Sequence, residues 1–292
     1  MDLSVIIVTY NNKKEIGACL RSVLSETNGL KTEVFIVDNG SSDRTRQAIE
    51  DVLRSSEGDG VKTMWNDKNI GFAAAVNQGL KLSTGDYVLL LNPDAEVIPG
   101  AFAKMIAYLK EHPKTGVAGG KIIGADGTVQ PSVRCFPALG DQLIILTKLY
   151  RFFPKMVAGY FCDGFDYDKE QEVDQVRGAF FFITRKLLQT IGSLDEKNFF
   201  VWFEEVDYCF RAKVAGFTVS YVPVPSAIHS GGASFNPQLS LIKQRWLNRS
   251  MRNYFRKRGR YWSWIVVSIV SPFSLLLAWL TQIFKIKPKN YA

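Results

Sequence analysis

The sequence predicts an α/β protein: an open, mostly parallel central sheet flanked by helices, followed by a C-terminal membrane-associated helical segment. Three observations carry this. Short β-branched runs alternate with helical patterns over the first hundred residues, an order that calls for parallel strands joined by crossover helices. Polar residues collect where the apolar runs end, at Thr9 and Asn11, at Asp38, and at Asn92 and Asp94. Ligands of open α/β sheets bind outside the carboxyl ends of the strands, although turns favour Asn and Asp in any case. Finally, Tyr261 to Phe284 is a run of 24 residues without a charge, long enough to span a bilayer as a helix.

Leu3–Tyr10 reads as a strand buried on both faces, closed by Asn11-Asn12. A helical pattern through Ile16, Leu20 and Leu24 leads to a second strand, Glu33–Val37. Asp43, in the polar stretch after it, is a good N-cap for the next helix. Val61–Trp65 is the third strand, Gly71–Gly79 opens another helix, and Tyr87–Leu91 is the fourth strand. From about Pro99 the pattern changes. Val129–Arg134 alternates like an edge strand, Leu139–Asp174 reads as a long loop with one helix, and Val176–Thr184 is a strand. A short helix follows from Leu187, then a strand over Thr218–Val222, with His229 beyond it.

The net charge of +8 is unevenly placed. Lys243 to Ala292 holds eleven Lys or Arg and no acid, leaving 25 basic against 28 acidic residues elsewhere. The basic, aromatic stretch before the apolar run favours anionic lipid headgroups over nucleic acid as its partner. More positive residues precede the run than follow it, which keeps the main domain on the cytosolic side. Pro272 is expected to kink a spanning helix or split it into two interfacial ones. Four widely spaced cysteines without a CxxC pair, and no N-terminal signal pattern, suit a reducing, cytosolic setting. The run Gly116–Lys121 fails as a phosphate loop, because Thr115 and Ile122 stand where Gly and Ser or Thr are needed.

Phe199–Arg211 concentrates three carboxylates and a guanidinium among apolar residues. A helix starting near Glu204 would put Glu204, Asp207 and Arg211 on one stripe. Acids in a first helical turn are favoured by the macrodipole. Carboxylates in a poorly hydrated surround also gain raised pKa values and act as proton acceptors.

In combination, Val8-Thr9-Tyr10-Asn11, Val37-Asp38-Asn39-Gly40-Ser41, Asn69-Ile70-Gly71-Phe72, Asn92-Pro93-Asp94-Ala95, Glu204-Glu205-Val206-Asp207 and His229 are specific. With them the chain resembles the family 2 inverting glycosyltransferases over roughly residues 3–235. It is most similar to the bacterial rhamnosyltransferase-like branch acting on cell-surface polysaccharides. The resemblance implies a GT-A fold over 1–240, with a nucleotide-binding half (1–98) and an acceptor half (99–240). A basic helix and membrane tail would fill 241–292.

It further implies that Thr9, Tyr10, Asn11 and Asp38 line the nucleotide pocket and that Asn69, Gly71 and Phe72 lie beside the donor, with Asn77 behind. Asn92-Pro93-Asp94 takes the place of the family's DxD motif. Because Asn92 replaces the first acid, Asp94 becomes the chief metal ligand, with His229 second, for Mn²⁺ or Mg²⁺. Glu205 would be the general base, Glu204 and Asp207 would bind acceptor or hold the helix start, and Arg211 would pair with Asp207. The implied donor is a dTDP-, UDP- or GDP-sugar, dTDP-rhamnose foremost. The implied acceptor is a lipid-linked glycan at the cytoplasmic face of the membrane. A polyprenyl-phosphate glycosyltransferase and a non-catalytic nucleotide-sugar-binding membrane subunit are the alternatives.

Overall fold

The structure is a computed structural model describing residues 1–26, 29–55, 60–229 and 241–283. Its first half alternates strictly: β1 (Leu3–Thr9), α1 (Ile16–Glu26), β2 (Thr32–Asp38), α2 (Thr45–Ser55), β3 (Val61–Trp65), α3 (Phe72–Leu82) and β4 (Tyr87–Leu91). These strands pair in parallel in the order β3-β2-β1-β4. Every residue of β1 is buried, because crossover helices cover both faces of the sheet. Asp43 caps α2 as expected, its Oδ1 accepting from the Thr45 backbone N–H at 2.9 Å.

The second half mixes directions. It comprises β5 (Ala95–Val97), α4 (Ala101–Glu111), β6 (Thr115–Gly124), β7 (Val129–Gln130), β8 (Val133–Arg134), α5 (Leu139–Leu146), β9 (Gln171–Glu172), β10 (Gln175–Val176), β11 (Phe180–Thr184), α6 (Arg185–Ile191), α7 (Glu204–Val214) and β12 (Thr218–His229). The sheet continues β4-β11-β6-β12-β5, with β11 antiparallel to both neighbours and β12 parallel to β6. One apolar core packs α1, α2 and α4 against one face of the sheet; a second packs α3, α6 and α7 against the other.

Several sequence expectations are corrected. The single edge strand over 129–134 is two strands in different sheets, broken at Pro131, which has no N–H to donate. The strand over 176–184 is also two, separated by Arg177-Gly178-Ala179. The last strand runs on to His229, with register shifts around Pro225, so His229 ends the strand rather than following it. The Gly116–Lys121 run is the interior of β6. Two of the spaced cysteines, Cys135 and Cys162, meet with sulfurs 3.2 Å apart, a proximity that spacing could not reveal.

The chain ends in α8 (Leu241–Lys257) and α9 (Tyr261–Ile283). Pro272 does not split α9. Asn248 of α8 clamps it on both sides of the proline, donating to the Ser271 carbonyl at 3.1 Å and accepting from the Ser274 hydroxyl at 3.4 Å. A third core joins Phe199, Phe203 and Val206 to Met251, Tyr254 and Phe255 of α8 and Val267 of α9. The Gly231-Gly232 pair beside His229 and the lysines after the apolar run lie outside the described residues.

Candidate active site

The strand ends of β1 and β2 form the first part of the site. Thr9 and Asp38, partners across the parallel ladder, are both 1% exposed. The Asp38 carboxylate accepts from the Ser41 hydroxyl and backbone, closing the turn after β2. Asn39 organises the loop that follows β3. Its amide donates to Asn69 Oδ1 (3.1 Å) and to the Gly71 carbonyl (3.2 Å), and its oxygen accepts from Ile70 N (3.0 Å) and Asn66 Nδ2 (3.2 Å). Gly71 has φ +96°, and a Cβ there would stand 2.7 Å from the Phe200 ring and carbonyl. Phe72 N–H donates to that same carbonyl at 2.6 Å. Only glycine permits this approach, which fastens the loop after β3 to the segment leading into α7.

Asp94 and His229 are brought together by sheet register. Asp94 immediately precedes β5, and His229 lies opposite Ala95 across the β5–β12 ladder. Asp94 Oδ1 stands 3.2 Å from His229 Nε2. Gln130 fixes the ring: its amide donates to the His229 carbonyl (2.8 Å), so its oxygen is left to accept from Nδ1 (3.0 Å). The Nε2 lone pair of a neutral ring then faces a carboxylate oxygen, an arrangement that calls for a cation between them, a proton or a metal ion. Imidazole nitrogen with carboxylate oxygen suits a divalent transition ion, and the Gln130 bond orients the ligand. Among the described residues no group of three or more His, Cys, Asp or Glu could hold a metal. The protein would supply two donors and leave the other positions to phosphate and water.

α7 begins at Glu204, as the sequence predicts, after Trp202 and Phe203 at φ +63° and +68°. Its two glutamates differ sharply. Glu205 is half-buried and lies against Gly178, whose backbone N–H it accepts; a Cβ at position 178 would collide with its carboxylate. Burial raises the Glu205 pKa, opposed by the Arg177 charge and the Gly178 hydrogen bond. Glu204 is 2% exposed, and its Oε2 has no hydrogen-bond partner among the described residues. Burial and the neighbouring Glu205 charge push its pKa well up, favouring its neutral form.

Burial, with Arg134 adding repulsion, lowers the Arg177 pKa to about 10, while Glu205 and Asp94 both favour its charged form. Arg177 thus carries a positive charge that both Glu205 and Asp94 favour. Its Nη1 is anchored on the Pro131 carbonyl at 3.2 Å.

Residues 4–188 match the sequence profile of glycosyl transferase family 2. The chain belongs to that family. It is 28% identical over 240 residues to the N-acetylglucosaminyl-diphospho-decaprenol L-rhamnosyltransferase of Mycobacterium tuberculosis, covering 78% of this chain and 75% of that protein. It is 26% identical over 257 residues to the uncharacterized protein y4gI of Sinorhizobium fredii, covering 84% of this chain but only 27% of y4gI. The fold resembles the mannosyltransferase PcManGT from Pyrobaculum calidifontis, solved with GDP-Man and Mn²⁺, at TM-score 0.61 and 16% identity over 94% of this chain and 72% of that one. It also resembles S. aureus TarS 1-349 with UDP, at TM-score 0.55 and 19% identity over 87% and 66%. The α/β GT-A architecture is thus that of this glycosyltransferase family.

Set against that architecture, the expected residues divide. Thr9 and Asp38 end β1 and β2, Asn69, Gly71 and Phe72 lie where the loop after β3 enters α3, and Asp94 and His229 pair at the β5–β12 ladder. Tyr10 is 45% exposed, and exposed Asn11 braces the adjacent loop by accepting from Ser42 N at 2.8 Å. Asn92 spends its backbone N–H on Ala179 O at 3.2 Å, and Asn77 secures Leu194 through both its N–H and carbonyl. Two acids are buried at the start of α7. Glu204 is 2% exposed. Asp207, 0% exposed, is enclosed by Arg211 (2.8 Å), Lys257 (3.0 Å) and Arg258 (3.3 Å), which agrees with the helix-holding alternative for it. Sequence reasoning missed Arg177, Gln130 and Asn39. Only the strand break at Arg177-Gly178 carried a signal, and it was hidden inside an apolar run.

Proposed function

We propose that this chain is a metal-dependent inverting glycosyltransferase, moving a sugar from a nucleotide diphosphate donor to a hydroxyl of a lipid-linked or polysaccharide acceptor. The observation that supports this most is the Asp94–His229 pair, 3.2 Å apart with the ring held by Gln130, at the end of the β5–β12 ladder. Asp94 and His229 would hold the Mn²⁺ or Mg²⁺, which supplies charge neutralisation of the diphosphate as the glycosidic bond breaks. Arg177 adds a fixed positive charge for the same leaving group. Glu205, with its raised pKa, accepts the acceptor hydroxyl proton, and Gly178 aims its carboxylate.

Thr9, Asp38, Asn69, Gly71 and Phe72 bind the nucleotide and donor. Rhamnose from dTDP-rhamnose is the favoured donor, supported by the activity named for the mycobacterial relative. Thermal-shift measurement with dTDP, UDP and GDP plus Mn²⁺ identifies the nucleotide, since a matched ligand stabilises by mass action. Asp94→Ala is expected to remove the Mn²⁺-dependent part of that shift. Glu205→Gln should lower transfer by about 10²–10⁴-fold. Transfer at the parental rate would remove Glu205 as base and favour a phosphate acceptor, which needs none.

The enzyme works at the cytoplasmic face of the membrane, attached through α9. That helix has a mean hydropathy of 1.9 and is the one helix among the described residues that is long and apolar enough to cross a bilayer. Its partners favour a position along the surface. Basic α8 is clamped to it at Ser271 and Ser274, and Lys148 donates to Thr281 near its other end. Trp262, Ile269 and Phe273 face outward, as do Phe152 and Phe153 of the loop beyond α5. Together they make an apolar face suited to the interface of an anionic membrane.

A further inference from the structure

The basic residues of and next to α8 differ in their partners. Lys257, which ends the helix, and Arg258, just beyond it, are committed to Asp195 and Asp207. Arg245, Arg249 and Arg252 have no carboxylate partner among the described residues. Their i, i+4, i+7 spacing lines one side of the helix. All three border an open cleft of about 370 Å³ between α8 and α9, whose facing wall is Pro272 and Leu275 and whose inner end carries Trp246. The cleft is preformed. Asn248, 3% exposed at its floor, accepts from Gln244 and Ser274 and donates to the Ser271 carbonyl, locking the two helices.

A row of guanidiniums opposite an apolar wall fits a ligand with an anionic head and a hydrocarbon chain. Guanidinium forks match phosphate oxygens, and three cations left side by side repel one another until an anion joins them. Trp246 packs on Phe200 with ring centroids 4.8 Å apart, and the Phe200 carbonyl holds Phe72 of the donor-side loop. Four residues after Phe200 the chain enters α7 at Glu204-Glu205.

We propose that the α8–α9 cleft seats the diphosphate and the first isoprene units of the lipid that carries the acceptor sugar. This rests on the glycosyltransferase function proposed above, with a lipid-linked acceptor. It explains why the apolar helix is locked to the catalytic domain: the helix pair presents the lipid head beside the site while the chain runs into the bilayer. A bulk phospholipid headgroup shares the phosphate chemistry but not the need for a route to Glu205.

The test is binding of farnesyl diphosphate to the full chain in neutral detergent micelles, with phosphatidylglycerol as competitor. Arg249→Gln should weaken farnesyl diphosphate binding roughly tenfold, and the triple variant with Arg245→Gln and Arg252→Gln further still. The Mn²⁺–nucleotide thermal shift should stay unchanged, because none of the three lies at the strand ends. Should the triple variant fail to fold, the exposed single substitution carries the comparison. Wild-type binding by Arg249→Gln, or full displacement by an equal amount of phosphatidylglycerol, overturns the proposal. Loss of arginine-dependent binding and failure of transfer are separable. If no donor is used yet binding tracks the arginines, the cleft stands and the transferase function falls. If transfer proceeds with an unchanged acceptor KM in the variant, the cleft falls alone.

Discussion

The two sides of the site are held together by different physics. On the proposed donor side, the loops after β2 and β3 are organised by neutral amides: Asn39 makes four hydrogen bonds to Asn66, Asn69, Ile70 and Gly71. On the proposed acceptor side, α7 is held by charge, with Asp207 bound to Arg211 of its own helix, to Lys257, the last residue of α8, and to Arg258 just beyond it. The amide network lies within about thirty residues of sequence and closes with the parallel half of the sheet. The ionic network needs α8, some fifty residues further on. On the function proposed above, the α7 end of the site would therefore depend on the C-terminal helices more than the loops after β2 and β3 do.

Asp207 breaks that comparison most severely. Removing one partner of a buried ion cluster strands the others in a poorly hydrated space. Asp207→Ala should cost about 3–5 kcal/mol in urea unfolding. It should free α8 from α7 and impair transfer more than nucleotide binding. If nucleotide binding fell first, the division between the two sides would be wrong. The cation–π stack of Arg258 on Phe210, at 3.3 Å, would survive the substitution and limits how far α8 can detach.

Asn39→Ala is the matching change on the donor side and a smaller one. It leaves Ile70 N and Gly71 O without their partner, at about 1–3 kcal/mol. The thermal shift with nucleotide should shrink more than the acceptor KM rises. An unchanged nucleotide shift would mean that Gly71 and its contact with Phe200 hold the loop unaided.

This same contrast explains what the sequence made legible. The bounds of β3, β4 and the start of α7 follow from local pattern and were readable to the residue. Thr9 and Asp38 were readable because strand ends announce themselves through polarity. Gln130 was not, since its partner His229 is 99 residues away and is reached only through the β7–β6–β12 neighbourhood. Arg177 was hidden because three non-strand residues inside an apolar run look like strand. Asp207 was readable as the partner of Arg211, one turn away, but its burial comes from Lys257 and Arg258, which no local pattern connects to it.

Glu204 gives the gentlest test, one of sign. It lies one turn before Asp207 on the same helix and is nearly as buried, yet among the described residues no cation pairs with it. Its folded pKa is raised above the ordinary 4.5 by burial and by Glu205. The folded state thus binds more protons than the unfolded state above that value. The stability the neutral acid contributes is fully present below about 4.5 and is lost as pH rises toward the folded pKa. Glu204→Gln keeps the shape and removes the proton. Its Tm should fall less than that of the parent between pH 5 and 8, and at pH 8 it should be at least as stable. Some slope should persist in both, because Glu205 is shifted in the same direction. Parallel Tm curves would mean that Glu204 is ionised after all. Its unpaired Oε2 would then be a buried anion beside Glu205, and Glu205 could not be the lone base on that face.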